Sequence, residues 1–276
     1  MEKLYQIDSQ IVAKKQLAEK HFLITFYSPE IAHSAKPGQF VMIKIDNEKT
    51  FLRRPFSICG VNKKTFDIVF KVVGCGTEVL SRCQVGDSLS IIGPLGNCFP
   101  SHILHLTSPI SLVAGGTGIA SLLFLAKHLS TYSLIHISTA VFIGAKTKKE
   151  ILFKKEFKKL GCKLFISTDD GTLGKKGLIS DVFANHLTTY PPNHLSTAVY
   201  ACGSKPMLKQ IAEISKKYKL KCYISLEEKM ACGIGACMGC VIKTIKNEKL
   251  KMKNNYEYKR VCKDGPIFDA EQIIWE

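Results

Sequence analysis

Apolar and polar residues alternate through the first hundred positions with the period of two expected of strands. In 66–73, Phe66, Ile68, Phe70 and Val72 fall on one side of an extended chain, and 40–45 and 88–92 are similar β-rich runs. Five or six such strands, separated by turn residues, predict a small antiparallel β-barrel. After Pro100 the rhythm becomes strand, turn, helix. A short apolar strand at 111–114 leads through 115–118 into a helical run at 119–129. A strand at 140–144 leads into a helix expected at 148–160, and 162–168 and 197–201 are further strands. Pro206 opens a helix running to Tyr218. This alternation predicts a parallel sheet with helices on both faces. From about Lys221 the periodicity gives way to a cysteine- and glycine-rich loop. The expected organisation is therefore mixed: a β-barrel domain over 1–100, an α/β parallel-sheet domain over 101–220, and a small C-terminal unit over 221–276.

Composition removes several function classes. Residues 88–126 contain no Lys, Arg, Asp or Glu, which resembles a membrane span, but Pro94, Gly96, Pro100, Pro109 and the glycines at 115, 116 and 118 cut it into pieces too short to cross a bilayer. Lys and Arg number 39 against 23 for Asp and Glu, a formal charge of +16. Only four residues are arginine (Arg53, Arg54, Arg82, Arg260), so nearly all of that charge is lysine, which serves phosphate and base recognition less well. Lysine-rich runs such as 146–149 and 154–159 fit solvated helix faces, and no nucleic-acid partner is expected. The eleven cysteines include seven scattered singly through the chain, unlike a disulfide framework, and the first ten residues lack the order of a signal peptide. A reducing cytoplasm is the expected location.

Cys232, Cys237, Cys240 and Cys262 form C-x4-C-x2-C with a distant fourth member, the spacing of a plant-type [2Fe-2S] cluster. Gly233, Gly235 and Gly239 allow the backbone to curl around a centre that needs several thiolates at one place. Structural zinc more often takes two close pairs of ligands, whereas here three clustered cysteines meet a lone fourth.

Arg53-Arg54-Pro55-Phe56-Ser57-Ile58 places two guanidinium forks beside a strand-like segment, suited to a phosphate. About twenty residues later a strand runs into Gly74-Cys75-Gly76-Thr77, where threonine as N-cap would offer helix N-terminal amides to an anion. At 113–120, Gly115, Gly116 and Gly118 lie between strand and helix as a dinucleotide turn requires, although the pattern is not G-x-G-x-x-G. Asp169 and Asp170 follow a strand; an acidic residue there suits a ribose hydroxyl or a simple Asp-Gly turn.

These motifs resemble the ferredoxin-reductase superfamily. The resemblance implies that Arg53, Arg54, Pro55, Phe56 and Ser57 line FAD, that Val69, Phe70 and Lys71 flank the flavin, and that Gly76 and Thr77 hold its phosphates. Lys71 stands where arginine is expected. Gly115, Gly116 and Gly118 would face the nicotinamide nucleotide, and Cys202-Gly203 resembles the segment carrying a cysteine near the nicotinamide ring; a buried small hydrophobe is the alternative for Cys202. The lack of an arginine in this domain favours NAD over NADP.

Segments 227–240 and 260–269 further resemble the electron-transfer subunits of NAD-dependent dihydroorotate dehydrogenases, over essentially the whole chain and in the order flavin, nucleotide, cluster. A lysine-rich segment, 243–259, makes the gap before Cys262 longer than that family leads one to expect. The resemblance implies FAD and one [2Fe-2S] cluster as cofactors and NAD as co-substrate. It also implies a partner, an FMN-containing dihydroorotate dehydrogenase catalytic subunit, in a heterotetramer of two of each, working in pyrimidine biosynthesis. No catalytic acid or base stands out in this chain, because the organic substrate would be handled by the partner. A subunit of an NAD(P)H:ferredoxin or sulfide-type oxidoreductase is the alternative within redox chemistry; a basic zinc-binding nucleic-acid module is the alternative outside it.

Overall fold

The computed structural model describes residues 4–45, 51–100, 109–131, 138–190, 198–246 and 255–275. The middle of the lysine-rich segment, 247–254, lies outside them.

Six antiparallel strands close a barrel in the order β1-β2-β5-β4-β3-β6. They are β1 (Tyr5–Ala18), β2 (His21–Tyr27), β3 (Phe40–Ile43), β4 (Arg54–Asn62), β5 (Thr65–Lys71) and β6 (Ser88–Leu95). Closure leaves no strand edge unpaired, and Phe26, Phe66, Ile58 and Ile68 fill the interior. Helix α1 (Pro29–Ser34) follows β2, and α2 (Cys75–Arg82) follows β5.

The second layer system is a seven-stranded sheet in the order β10-β9-β8-β7-β11-β12-β15. Its strands are β7 (Ile110–Gly115), β8 (Thr139–Ala145), β9 (Lys163–Thr168), β10 (Lys175–Lys176), β11 (Ala198–Cys202), β12 (Lys221–Ser225) and β15 (Ile267–Asp269). All pair in parallel except β15, which runs antiparallel beside β12. Alternation feeds two cores. Val113, Val199 and Ala201 face α5 (Ile179–Thr189) and α6 (Lys205–Lys217), while Leu112, Ala114, Tyr200 and Cys202 face α3 (Ile119–Ser130) and α4 (Lys154–Lys159). Strands covered on both sides favour apolar residues at nearly every position, hence Ile110 and the run at 112–114, with Ser111 the buried polar exception. No helix among the described residues is long and apolar enough to cross a membrane.

Two local expectations change. The helix expected over 148–160 is reduced to α4, preceded by a single tight turn over Lys148–Glu150. Phe153 adopts φ 60°, which interrupts the helix, and Leu152 is buried just before it. Thr77 is not the N-cap of α2 but its third residue. Its hydroxyl accepts the N–H groups of Val73 and Gly74 at 2.9 and 3.1 Å, reaching back over the helix start.

The C-terminal segment carries a two-stranded ribbon, β13 (Val241–Ile245) with β14 (Tyr256–Arg260). The segment then returns to the barrel and sheet. The Asn97 side chain donates to the carbonyls of Asp264 and Ile267 (3.2 and 2.8 Å) and accepts the Ile267 N–H at 2.9 Å.

Candidate flavin, nucleotide and iron-sulfur sites

The barrel presents a cleft of about 360 Å³ where β4 and β5 meet the start of α3 and the chain beyond β12. Pro55, Phe56, Ser57, Val69, Phe70 and Lys71 line it, together with Thr77 and Gly118. Phe56 also turns into the barrel and meets Phe70 edge-on at 5.8 Å between ring centres, which fixes the cleft wall.

The structure separates the two arginines. Arg53 Nη1 donates to the Ser90 carbonyl (2.6 Å) and Nη2 to Ser90 Oγ (3.0 Å), so its fork is committed to β6. Arg54 lies over the α2 loop: a Cβ at Gly76 would stand 3.4 Å from Arg54 Nε. Arg54 thus stands against Gly76, with its Nη1 donating to the Leu52 carbonyl at 2.5 Å. Lys71 is also engaged, donating to Glu150 at 2.6 Å across the boundary between barrel and sheet. That pairing holds the Glu150 carboxyl below its usual range.

A second cleft, of about 470 Å³, opens over the C-terminal ends of the parallel strands, where open α/β sheets bind ligands. Gly115, Gly116, Gly118 and Gly203 line it. Close packing demands glycine here. A Cβ at Gly118 would lie 2.5 Å from the Cys202 carbonyl, and one at Gly203 would lie 3.0 Å from Gly115 N. Cys202 lines neither cleft; it is buried behind Gly118, and burial pushes its thiol well above the ordinary range. The two neighbouring aspartates differ. Asp170 accepts the N–H and hydroxyl of Thr172 in a turn, while Asp169 lines the cleft beside Lys146.

Glu227 lines both clefts, a position that no local motif announces. Its side chain is open to the clefts yet ringed by protein, and the resulting desolvation raises its carboxyl above the usual range. Met230, Thr117 and Ser121 join the first cleft, and Met207 and Gln210 the second; only the tertiary fold brings them there.

Two residues beyond Met230 the chain enters the cysteine loop. Gly233, Gly235 and Met238 have φ of 73°, 83° and 59°, and the loop presses so closely on the barrel that a Cβ at Gly233 would lie 2.4 Å from Met42 Cγ. Backbone amides point at sulfur: Ala236 N–H at Cys232 (3.3 Å), Gly239 N–H at Cys237 (3.4 Å) and Cys262 N–H at Cys240 (3.3 Å). Burial acts to raise the Cys232 thiol, but amide donors and the Cys237 thiol outweigh it and bring the group down to about 6. Cys262 is pushed up to about 12, first by burial and then by the neighbouring Cys240 sulfur.

Cys237 is the thiol that acts on Cys232, while Cys262 feels Cys240 first and Cys232 as well. Among the described residues, no three candidate ligands converge as a single-ion site requires. The C-x4-C-x2-C spacing with a distant fourth cysteine, and amide donors beside the sulfurs, suit a [2Fe-2S] centre.

Three stretches of the chain match known domain families. Residues 8–99 match a model of the oxidoreductase FAD-binding domain, 112–213 the oxidoreductase NAD-binding domain, and 227–274 the iron-sulfur cluster binding domain of dihydroorotate dehydrogenase B. The chain is 38% identical over 272 residues to the dihydroorotate dehydrogenase B (NAD+) electron transfer subunit of Caldanaerobacter subterraneus, covering 98% of this chain and 99% of the relative. The subunit of the same name from Enterococcus faecalis is 36% identical, with 96% of each chain covered. Among solved structures, an NADH-dependent reduced ferredoxin-NADP oxidoreductase superposes with a TM-score of 0.82 at 30% identity, over 97% of this chain and 90% of that one. Ferredoxin-NADP+ reductase from Plasmodium falciparum shares the fold, with a TM-score of 0.66 at 18% identity over 80% of this chain and 96% of that one. The chain is an oxidoreductase with FAD, iron-sulfur and NAD domains, and it belongs to the family of dihydroorotate dehydrogenase B electron transfer subunits.

Proposed function

We propose that this chain carries electrons between NAD and an FMN-containing dihydroorotate dehydrogenase catalytic subunit, in a heterotetramer of two chains of each kind, during pyrimidine synthesis in the cytoplasm. The observation that carries this reading is the continuity of the sites. Gly118 and Glu227 border both clefts, and Met230 in the first cleft is two residues from Cys232.

FAD when bound supplies the step between a hydride's two electrons and a [2Fe-2S] centre that carries one at a time. The protein's own residues orient and shield. Pro55, Ser57, Val69 and Phe70 would form the wall against the flavin ring, with Arg54, Gly76 and Thr77 at its phosphates. Arg53, tied to Ser90, braces the strand that presents this wall. Gly115, Gly116 and Gly203 would admit the nicotinamide nucleotide, with Cys202 packed behind Gly118 to hold the turn in place. Cys232, Cys237, Cys240 and Cys262 would hold the irons, with the amides of Ala236, Gly239 and Cys262 as donors to their sulfurs. We place the functional division at about residues 100 and 220. The β15 strand links the third unit to the second.

Ile234 and Met238 are about half exposed on either side of the exposed Cys237, an apolar surface beside the cluster site that favours a protein partner there. The seven cysteines outside the cluster set form no disulfide, which favours a reducing compartment. The test is dihydroorotate-dependent reduction of NAD+ by this chain mixed with the FMN subunit. Activity in the mixture and in neither component alone is the expected result; NAD+ reduction by the FMN subunit alone would remove the need for this chain.

A further inference from the structure

The cysteine set is assembled from two segments distant in sequence, and one arginine joins them. Arg260 Nη1 donates to the Gly235 carbonyl at 2.9 Å, inside the first segment. The same guanidinium grips Asp264 in the second: Nε to Oδ2 at 3.1 Å and Nη2 to Oδ1 at 3.3 Å, with the Arg260 backbone N–H donating to Oδ2 at 2.8 Å. Cys262 lies between the two partners in sequence. The Cys262 N–H donates to the Cys240 sulfur at 3.3 Å, so the segment gripped by Arg260 also bonds directly to a ligand of the first. Arg260 lies within electrostatic reach of both Cys240 and Cys262. No other arginine occurs after Arg82.

We infer that Arg260 and Asp264 form a positioning pair in which Arg260 ties the two ligand segments together and each charge offsets the other's effect on the reduction potential of the cluster they hold. This rests on the assignment of the four cysteines as ligands. The physical basis is charge. A [2Fe-2S] centre with four thiolates becomes more negative by one unit on reduction, so a nearby cation favours the reduced form and a nearby anion opposes it. The pair leaves these effects nearly balanced. Removing either member uncovers the charge of the other, and the two removals act in opposite directions.

The experiment is a redox titration of the full chain with its cluster loaded, followed by the electron paramagnetic resonance signal of the reduced centre, with iron per chain measured on the same samples. Arg260→Gln, which leaves Asp264 unbalanced, lowers the midpoint potential. Asp264→Asn, which leaves Arg260 unbalanced, raises it. The double variant returns close to the parent potential while losing iron faster to a chelator, because the charge is balanced and the clamp is gone. Arg260→Lys keeps the charge without the planar fork; its potential stays nearer the parent than that of Arg260→Gln. Shifts of the same sign in both single variants, or no shift in either, would overturn the inference. A parent chain that retains no iron would overturn the ligand assignment instead.

Discussion

The barrel cleft and the cysteine loop use different means to hold their chemistry. In the cleft, Pro55, Ser57, Val69 and Phe70 project from paired strands whose ladders and filled interior fix them. In the loop, no repeating ladder holds residues 232–240. Left-handed backbone at Gly233 and Gly235, amide–sulfur contacts and the Arg260 clamp take its place. A strand tolerates a changed side chain because its neighbours hold its backbone. A loop pressed against Met42 tolerates little at the backbone itself.

The largest expected effect is therefore in the loop. Cys237→Ser removes dihydroorotate-linked electron transfer while leaving NADH able to reduce the flavin, measured by turnover with the partner and by anaerobic flavin bleaching alone. Continued partner-linked turnover would take the cluster off the route. Gly233→Ala follows. It adds about 1–2 kcal/mol of left-handed strain and a methyl group 2.4 Å from Met42 Cγ. Iron per chain should fall while FAD content holds, which metal and flavin assays on one sample would decide.

In the cleft, Arg54→Ala should weaken FAD binding about ten- to hundredfold, the value of a charge-assisted hydrogen bond. Arg53→Ala should change it far less and instead lower the melting temperature, since its fork is spent on Ser90. Equal losses of FAD would show that both arginines hold it. The smallest effect is at the half-buried Lys71–Glu150 pair, where Lys71→Met should cost about 0.5–1 kcal/mol at neutral pH. Glu150 has its carboxyl lowered from 4.5 in the folded chain, chiefly by its hydrogen bond with Lys71. The pair's contribution is thus present above pH 4.5 and is lost as pH falls through the depressed value. Denaturant melts of parent and variant should converge on acidification; a gap that persists would assign the stability to lysine packing instead.

The difference between the two regions also decides what the sequence reveals. The cysteine spacing is local and names its chemistry directly, and the strand and helix rhythms predict barrel and parallel sheet because each face is buried with a fixed period. Register is another matter. Arg53 and Arg54 are adjacent in sequence, yet the Arg53 fork bonds Ser90 of β6 while the Arg54 side chain lies against Gly76. Thr77 reads as an N-cap because threonine favours that place, yet its hydroxyl reaches backward from the third position of the helix. Strand β15 has only three residues, too few to show a period, and Glu227 reaches both clefts only because β12 ends between them.

The most direct measurement of the central claim is an anaerobic visible spectrum of the purified chain before and after NADH. Flavin bands with an iron-sulfur shoulder, both bleached by NADH, are the predicted result and place the three sites on one electron route. A colourless protein containing zinc, or a flavin that bleaches while the iron-sulfur absorption stays unchanged, would contradict it.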